Sequence, residues 1–179
     1  MAEFAAFLRG INVGGHKQVP MKELKNAFES LHFKNVQTLL ASGNVLFETP
    51  SANEAVLERM IEEKLKDTFG HEIRVLVRSR KELQQLIDSQ PFKKTEVTPQ
   101  TRLYITFLSE KPAAHIKIPY TSPDKNFKIL RASEREVCSA ATLSPNTRTV
   151  EAMSILEKEY GRNVTTRNWN TVIRILNSR

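Results

Sequence analysis

Glycines and polar side chains cluster directly after the first apolar segment of the chain. Phe4 to Leu8 is a continuous apolar run, and residues 9–19 then carry three glycines together with arginine, asparagine, histidine and lysine. Pro20 follows, and it suits the first position of a helix because its missing N–H is not needed there. The free N–H groups of a helix start and nearby cations both favour an anion. The segment therefore predicts a site for a phosphate or carboxylate group.

Two further segments supply polar groups of the same kind. Ser42-Gly43-Asn44 is typical of a tight hairpin turn. In a sheet whose first two strands run the same way, this turn lies at the same end as residues 9–19. Arg167 and Asn170 fall outside the apolar face of the last predicted helix, and an arginine suits bidentate recognition of a phosphate or carboxylate. The predicted ligand-binding residues are Arg9, Gly10, Asn12, Gly14, Gly15, His16, Lys17, Ser42, Gly43, Asn44, Arg167 and Asn170.

The glycines of this candidate site also have a purely structural explanation. Gly10, Gly14 and Gly15 fit a tight crossover, and Gly43 fits a hairpin turn, because glycine adopts positive φ without steric cost. The loop has neither the Gly-x-Gly-x-x-Gly pattern of dinucleotide-binding folds nor the Gly-x-x-x-x-Gly-Lys-Ser/Thr pattern of a P-loop. A ligand-binding role and a structural role are therefore both open for the loop.

Other chemistries lack the residue patterns that they need. His16, His32, His71 and His115 have no paired spacing with acids or with the cysteine, so we predict no metal site. Cys138 lies in a predicted strand, where a small buried residue is expected rather than a nucleophile. No Gly-x-Ser-x-Gly motif is present, and His16 is the one general base suitably placed in the loop. We predict no cofactor, and the reaction and catalytic residues stay unassigned.

Composition and charge limit the class of protein. The chain has 179 residues, of which 40% are hydrophobic and 26% charged, as in globular proteins. No apolar stretch approaches the ~20 residues that cross a bilayer, and the first residues do not resemble a signal peptide, so no membrane partner is expected. A single cysteine excludes an internal disulfide and favours the cytoplasm. The net charge of +7 favours phosphorylated ligands, and its densest cluster is Arg74, Arg78, Arg80 and Lys81.

Hydrophobic periodicity places the loop in a known supersecondary unit. Strands are predicted over 4–8, 36–41, 45–49 and 72–78, with helices after Pro20 and after a capping box that begins at Ser51. The order β-α-β-β-α-β is that of a ferredoxin-like unit. A further helix follows Ser79 and ends before Pro91. We predict a ferredoxin-like subdomain over 1–90, a linker over 91–101 and a second α+β subdomain over 102–179.

The second half has weaker periodicity. A strand is predicted over 103–107, a mainly irregular segment over 110–125, and a hairpin from 127–132 and 137–142. A helix capped by Thr147 ends at Gly161, and a last helix buries Trp169 in the core. The fold class predicted is α+β with two ferredoxin-like subdomains, the second less regular and extended by a C-terminal helix.

Several motifs carry a resemblance to a known family. They are Ala6-Phe7-Leu8-Arg9-Gly10-Ile11-Asn12-Val13-Gly14-Gly15, Val19-Pro20-Met21, Ala41-Ser42-Gly43-Asn44-Val45 and Thr166-Arg167-Asn168-Trp169-Asn170-Thr171-Val172. With them the chain resembles the bacterial family called domain of unknown function 1697. The resemblance implies two alpha-beta-plait (ferredoxin-like) subdomains and assigns no activity. Residues 143–149 depart from the Gly-Arg-Ser-Lys-Leu-Thr stretch that is usual in the family.

Two functions from other classes are alternatives to the binding of a small anion. The predicted topology is also that of an RNA-recognition motif, so weak nucleic-acid binding is the first alternative. The third predicted strand argues against it, because it carries one aromatic residue, Phe47, rather than the expected pair. The second alternative is a protein interaction module without a ligand. The sequence does not specify an oligomeric state.

Overall fold

The chain forms two compact α+β units. The computed structural model describes residues 1–51, 53–113, 116–145 and 149–178. Unit 1 comprises Met1–Gln85 and Ile175–Arg179, and unit 2 comprises Leu86–Arg174. In the described part of the chain, no helix combines the length and the apolarity that crossing a membrane requires.

Unit 1 has the predicted ferredoxin-like topology. Its elements are β1 (Ala2–Leu8), α1 (Met21–Ser30), β2 (Lys34–Leu39), β3 (Asn44–Thr49), α2 (Glu54–Phe69) and β4 (Val75–Ser79), followed by α3 (Arg80–Asp88), which ends in unit 2. The strands form an antiparallel sheet in the order β2-β3-β1-β4. The predicted hairpin is confirmed, since Gln37 lies opposite Leu46 and Thr38 opposite Val45.

Side chains that point to one face of the sheet form the core of unit 1 together with its two helices. Phe4, Ala6 and Leu8 of β1 share one buried cluster with α1 and α2 residues such as Phe28 and Ile61. The opposite face of the sheet is buried as well: Ala5, Phe7, Leu46 and Leu76 are each at most 4% exposed. Burial on both faces explains why β1 is continuously apolar rather than alternating.

Two helix starts can be compared with the predicted caps. Asn53, rather than the predicted Ser51, caps α2, because its side-chain oxygen accepts a hydrogen bond from the N–H of Val56 at 3.1 Å. The cap at α3 is confirmed, since the Ser79 hydroxyl accepts a hydrogen bond from the N–H of Glu82 at 3.2 Å. Asparagine and serine are both good N-caps, so the sequence alone does not decide between adjacent candidates.

Unit 2 repeats the sheet of unit 1 with a different crossover. Its elements are β5 (Thr101–Leu108), β6 (Tyr120–Thr121), β7 (Phe127–Ala132), β8 (Glu136–Thr142), α4 (Thr149–Tyr160), β9 (Val164–Asn168) and α5 (Trp169–Asn177), which ends in the residues of unit 1. The antiparallel order is β6-β7-β8-β5-β9, so β7-β8-β5-β9 corresponds to β2-β3-β1-β4. No helix connects β5 to β7 in the described residues of that segment, and the short strand β6 lies beside β7 instead.

Unit 2 contains the predicted hairpin and also a strand that the sequence does not predict. The hairpin is confirmed, with Phe127 opposite Ala141 and Ala132 opposite Val137. Strand β9 was not predicted, although it pairs with β5 along its length. Residues 146–148, which include the predicted cap Thr147 and the middle of the unusual 143–149 segment, lie outside the described residues.

Candidate functional site

The glycine-rich loop of unit 1 folds into a small hairpin. The N–H of Asn12 donates to the carbonyl of Lys17 at 3.1 Å, and the N–H of His16 donates to the carbonyl of Val13 at 3.0 Å. Gly14 and Gly15 form the turn with φ of 57° and 76°. All residues from 12 to 18 are exposed, so the hairpin projects from the end of the sheet.

The side chain of Asn12 ties this hairpin to the turn between β2 and β3. Its amide nitrogen donates to the carbonyls of Val19 at 3.2 Å and Ala41 at 2.7 Å. Its amide oxygen accepts from the N–H of Val19 at 2.8 Å. The predicted meeting of loop and turn is therefore present, and Asn12 maintains it rather than facing a ligand.

The turn residues Ser42, Gly43 and Asn44 also have structural contacts. The carbonyl of Gly43 accepts from the N–H of Leu8 at 2.9 Å. Asn44 is buried, and its amide nitrogen donates to the carbonyl of Leu39 at 2.9 Å and to the hydroxyl of Ser42 at 3.1 Å. These contacts hold the end of the sheet in shape.

Two of the cationic residues near the loop have contacts with the segment that precedes β4. Lys17 donates from its ammonium group to the carbonyl of Glu72 at 2.9 Å. Arg9 is half-buried, its N–H bonded to the carbonyl of Arg74 at 2.9 Å, and Gly10 and His16 are exposed. Helix α1 starts after Pro20 without a side-chain cap. The groups best placed for an anion here are Arg9, His16 and the first N–H groups of α1.

The two remaining predicted residues lie in unit 2. Arg167 belongs to β9 rather than to the last helix, which corrects the predicted position, and it pairs with Ile105 of β5. Its guanidinium donates to the carbonyl of Thr166 at 3.0 Å, and burial lowers the pKa of the group to about 10. Asn170 is exposed in the first turn of α5. Trp169 is half-buried and packs edge-to-face on Phe92, with ring centres 5.2 Å apart.

A larger concave site occurs in unit 2, lined by residues that the sequence analysis does not assign to a site. It is a cavity of about 430 Å³, within the range of ligand pockets. Its lining residues are Lys94, Thr95, Glu96, Thr98, Thr101, Lys125, Asn126, Lys128, Leu130, Ala140 and Thr142. We call it the lysine cavity. Its charged side chains are three lysines and one glutamate, so its formal charge is positive.

The three lysines of the cavity have no ion-pair partner in the part of the chain that the structure describes. Lys94, Lys125 and Lys128 are exposed, and within the described ranges no carboxylate forms an ion pair with any of them. Asp124 is close in sequence, but its carboxylate accepts from the hydroxyl of Ser122 and from the N–H of Asn126. Those hydrogen bonds lower the pKa of Asp124, and the bond from Ser122 has the largest effect.

Backbone hydrogen bonds fix the frame of the lysine cavity where β5 and β7 begin and β8 ends. The N–H of Thr142 donates to the carbonyl of Asn126 at 2.8 Å. The N–H of Leu143 donates to the carbonyl of Gln100 at 2.9 Å. The hydroxyls of Thr98 and Thr101 lie 3.1 Å apart and share a hydrogen bond. The backbone that carries Lys125 and Lys128 is therefore held by hydrogen bonds at this end of the sheet.

Sequence reasoning missed this site for an identifiable reason. The composition of residues 91–101 predicts a linker, and that of residues 110–125 predicts an irregular segment. Composition does not indicate which side chains of the two segments come together in the fold. The available signal was Lys93-Lys94 in the first segment and Lys125 and Lys128 beside the predicted hairpin. Only the order of strands in unit 2 brings these lysines to one cavity.

Several charged groups of unit 1 form ion pairs with one another. A smaller cavity of about 190 Å³ is lined by Glu62, Glu63, Lys66, Glu72, Ile73 and Arg74. It contains the ion pairs Lys66–Glu72 and Arg74–Glu62, each at 3.4 Å. In the dense basic cluster, Arg78 is buried beside Glu82 and Arg80 pairs with Glu3. Neither feature leaves a strong positive surface.

The fold and family can now be set beside known proteins. The structure of conserved bacterial protein SP0830 from Streptococcus pneumoniae is similar, with a TM-score of 0.73 and 19% sequence identity, over 98% of this chain and 97% of that one. This likeness supports the α+β fold. No curated protein has a sequence that matches this chain significantly.

The family described as "Protein of unknown function (DUF1697)" matches residues 1–137. The chain belongs to this family, as its motifs indicated. The matched range includes the glycine-rich loop, the turn at Gly43 and the lysines of the cavity, whereas the Thr166–Val172 motif lies beyond it.

Proposed function

We propose that the protein binds a small anionic ligand that bears a phosphate or carboxylate group, and that the ligand lies in the lysine cavity of unit 2. The observation that carries the proposal is the convergence of Lys94, Lys125 and Lys128 on one cavity without carboxylate partners among the described residues. Three lysines that line one cavity give it a positive potential, which favours an anion.

The chemistry of the lining suits a phosphorylated molecule better than an apolar one. The threonine hydroxyls and the Asn126 amide add hydrogen-bond partners beside the ammonium groups. Leu130 and Ala140 supply apolar surface that suits the uncharged part of a ligand. Glu96 is an acceptor at the same cavity and would orient a hydroxyl or amino group. The proposal concerns binding and includes no catalytic step.

The glycine-rich loop is the second location for the same function. Arg9 and His16 precede α1 in the sequence, and the uncapped start of this helix supplies N–H donors. Its weakness is that Asn12, Gly43 and Asn44 are explained by structural contacts. The loop is also an exposed hairpin rather than a cavity.

Nucleic-acid binding by the first sheet has less support. An RNA-recognition motif stacks bases on the sheet face opposite its helices. In unit 1 that face carries Ala5, Phe7, Leu46 and Leu76, and all four are buried.

A cytoplasmic location is part of the proposal, and the single free, buried Cys138 supports it.

The test compares two double variants that lose the same charge. Lys94→Ala/Lys128→Ala removes two lysines of the cavity, and Lys34→Ala/Lys117→Ala removes two exposed lysines elsewhere. Pyrophosphate and citrate are titrated by calorimetry at physiological ionic strength. We expect the cavity variant to bind the preferred anion at least about tenfold more weakly than the wild type, since exposed charge-assisted contacts contribute roughly 1 kcal/mol each.

The control variant should bind within about twofold of the wild type because its lysines are outside the cavity. Arg9→Ala serves as the variant for the second location. If Arg9→Ala alone weakens binding, the ligand lies at the loop. Equal weakening by both lysine pairs would contradict a specific site and indicate general attraction to a basic surface.

A further inference from the structure

Three glutamates of α2 face the outer edge of strand β4. Glu62 accepts a hydrogen bond from the N–H of Val75 at 2.9 Å. Glu58 accepts one from the N–H of Val77 at 2.8 Å, and Glu54 accepts one from the N–H of Ser79 at 3.1 Å. We call Glu54, Glu58 and Glu62 the glutamate ladder. Its contacts all lie within unit 1.

The ladder depends on a match between helix and strand geometry. Four residues of α-helix rise about 6 Å, and two residues of β-strand rise about 6.6 Å. Carboxylates at every fourth helix position therefore have nearly the same spacing as N–H groups at every second strand position. Helix and strand run in opposite directions, so Glu54 meets Ser79 and Glu62 meets Val75. Three consecutive contacts in register are not the pattern of isolated surface bonds.

The bonded N–H groups are those that a new strand would use. Strand β4 is at the edge of its sheet, and one side pairs with β1. Successive N–H groups of a strand alternate between its two sides, so 75, 77 and 79 point away from β1. An open edge with the apolar sequence Val75-Leu76-Val77 is a template for strand addition. The opposite edge, β2, is protected differently, by a register shift between Lys34 and Gln37.

We propose that the glutamate ladder is an edge cover that prevents the β4 edge of one molecule from pairing with β4 of a second copy. Two identical edge strands pair antiparallel about a twofold axis, so each copy presents the surface that the other needs. The carboxylates occupy the N–H donors of β4 that a second copy would need. The cover thus acts by hydrogen bonding.

The first test removes the cover and measures self-association. Glu54→Ala/Glu58→Ala/Glu62→Ala is compared with Glu23→Ala/Glu63→Ala/Asp67→Ala, which loses the same charge from exposed positions of α1 and α2. Sedimentation velocity over a concentration series gives the apparent dissociation constant of self-association. We expect that constant to fall at least about tenfold in the ladder variant and to match the wild type in the control. Equal behaviour of the two folded variants would overturn the proposal.

The second test reads the hydrogen bonds directly and uses single variants that keep the fold. Amide hydrogen exchange is measured at low protein concentration in Glu58→Ala and Glu58→Gln. In Glu58→Ala the N–H of Val77 should exchange at least about tenfold faster, with Leu76 and Arg78 unchanged because they face β1. Glu58→Gln keeps an acceptor oxygen and should protect Val77. A uniform rise across residues 76–78 would contradict the cover. Where the triple variant fails to fold, Glu58→Ala/Glu62→Ala takes its place in the association measurement.

Discussion

The backbone at Gly43 passes closer to neighbouring side chains than a residue with a Cβ allows. A Cβ there would lie 2.7 Å from Cδ1 of Ile11 and 2.9 Å from Cβ of Leu8, and φ is +83°. At Gly15, φ is +76°, but no atom lies within 4 Å of the Cβ position. The two glycines therefore share a backbone requirement and differ in packing. This separates a glycine needed for close approach from one needed only for a turn.

Alanine substitutions at the two positions should differ in their effect on stability. Gly15→Ala should lower the free energy of unfolding by about 1–2 kcal/mol, the cost of a left-handed residue. Gly43→Ala should lower it by about 2–5 kcal/mol, because overpacking adds to the same backbone cost. Urea denaturation of both variants measures the difference. Equal losses would mean that the end of the sheet relaxes around a new Cβ.

Cys138 is a second residue whose environment determines its chemistry. It is completely buried in β8, as predicted, and burial raises the pKa of its thiol to about 11. The thiolate is the reactive form, so the folded protein holds the sulfur in its unreactive state at neutral pH. A disulfide reagent such as DTNB should leave the native protein unlabelled and label one thiol in urea. Rapid stoichiometric labelling of the folded protein would contradict this account.

Helix α2 combines an apolar face with a polar edge that the sequence pattern alone does not interpret. Leu57, Ile61 and Leu65 are buried, whereas Val56 and Met60, which the helical period also places on the apolar side, are exposed. The sequence assigns Glu54 to the capping box that begins at Ser51 and gives Glu58 no role, because glutamates on a helix are ordinarily solvated. Their partners are backbone N–H groups of β4, and backbone donors leave no trace in a sequence. The glutamate ladder could therefore be found only from the structure.

The stability of α2 against β4 should depend on pH through Glu58. Burial raises the pKa of its carboxyl above the ordinary value of 4.5, and the hydrogen bond from Val77 and the charge of Arg78 oppose this effect. The folded protein thus binds this proton more tightly than the unfolded chain does. The contribution of Glu58 to stability is therefore most favourable at acid pH and declines as the pH rises from 4.5 through the raised pKa.

Glu58→Gln removes this titration and keeps an acceptor for Val77. We expect its unfolding free energy to gain on that of the wild type as the pH rises from about 4.5 to neutral. Urea unfolding at several pH values measures the difference, and Glu63→Gln, an exposed position on the same helix, is the control. A difference that stays constant with pH would contradict the burial of the Glu58 carboxyl.

The sequence predicts secondary structure best where one period dominates a segment. The hairpin around Gly43, the end of α2 at Gly70 and the burial of β1 follow from turn chemistry, a C-terminal glycine and a continuous apolar run. Strand β9 was missed because Val164 to Asn168 contains one large apolar residue and leads without a turn into α5. Its strand conformation comes from pairing with β5, a contact distant in sequence.

At the scale of the whole molecule, the sequence predicts an α+β chain of ferredoxin-like units more successfully than it predicts a site. The loop at residues 9–19 was a reasonable candidate because glycines and cations are adjacent in the sequence. The lysine cavity joins segments near Lys94, Lys125 and Thr142 that are separated along the chain. Convergence of that kind requires the strand order, which periodicity does not give.

The central claim is that an anion binds in the lysine cavity, and an NMR titration tests it most directly. Amide ¹H–¹⁵N spectra are recorded while pyrophosphate is added at physiological ionic strength. The account predicts saturable shifts centred on Thr98, Thr101, Asn126 and Lys128, and their loss in Lys94→Ala/Lys128→Ala. Shifts centred on residues 14–21, or no saturable shift at any amide, would contradict it.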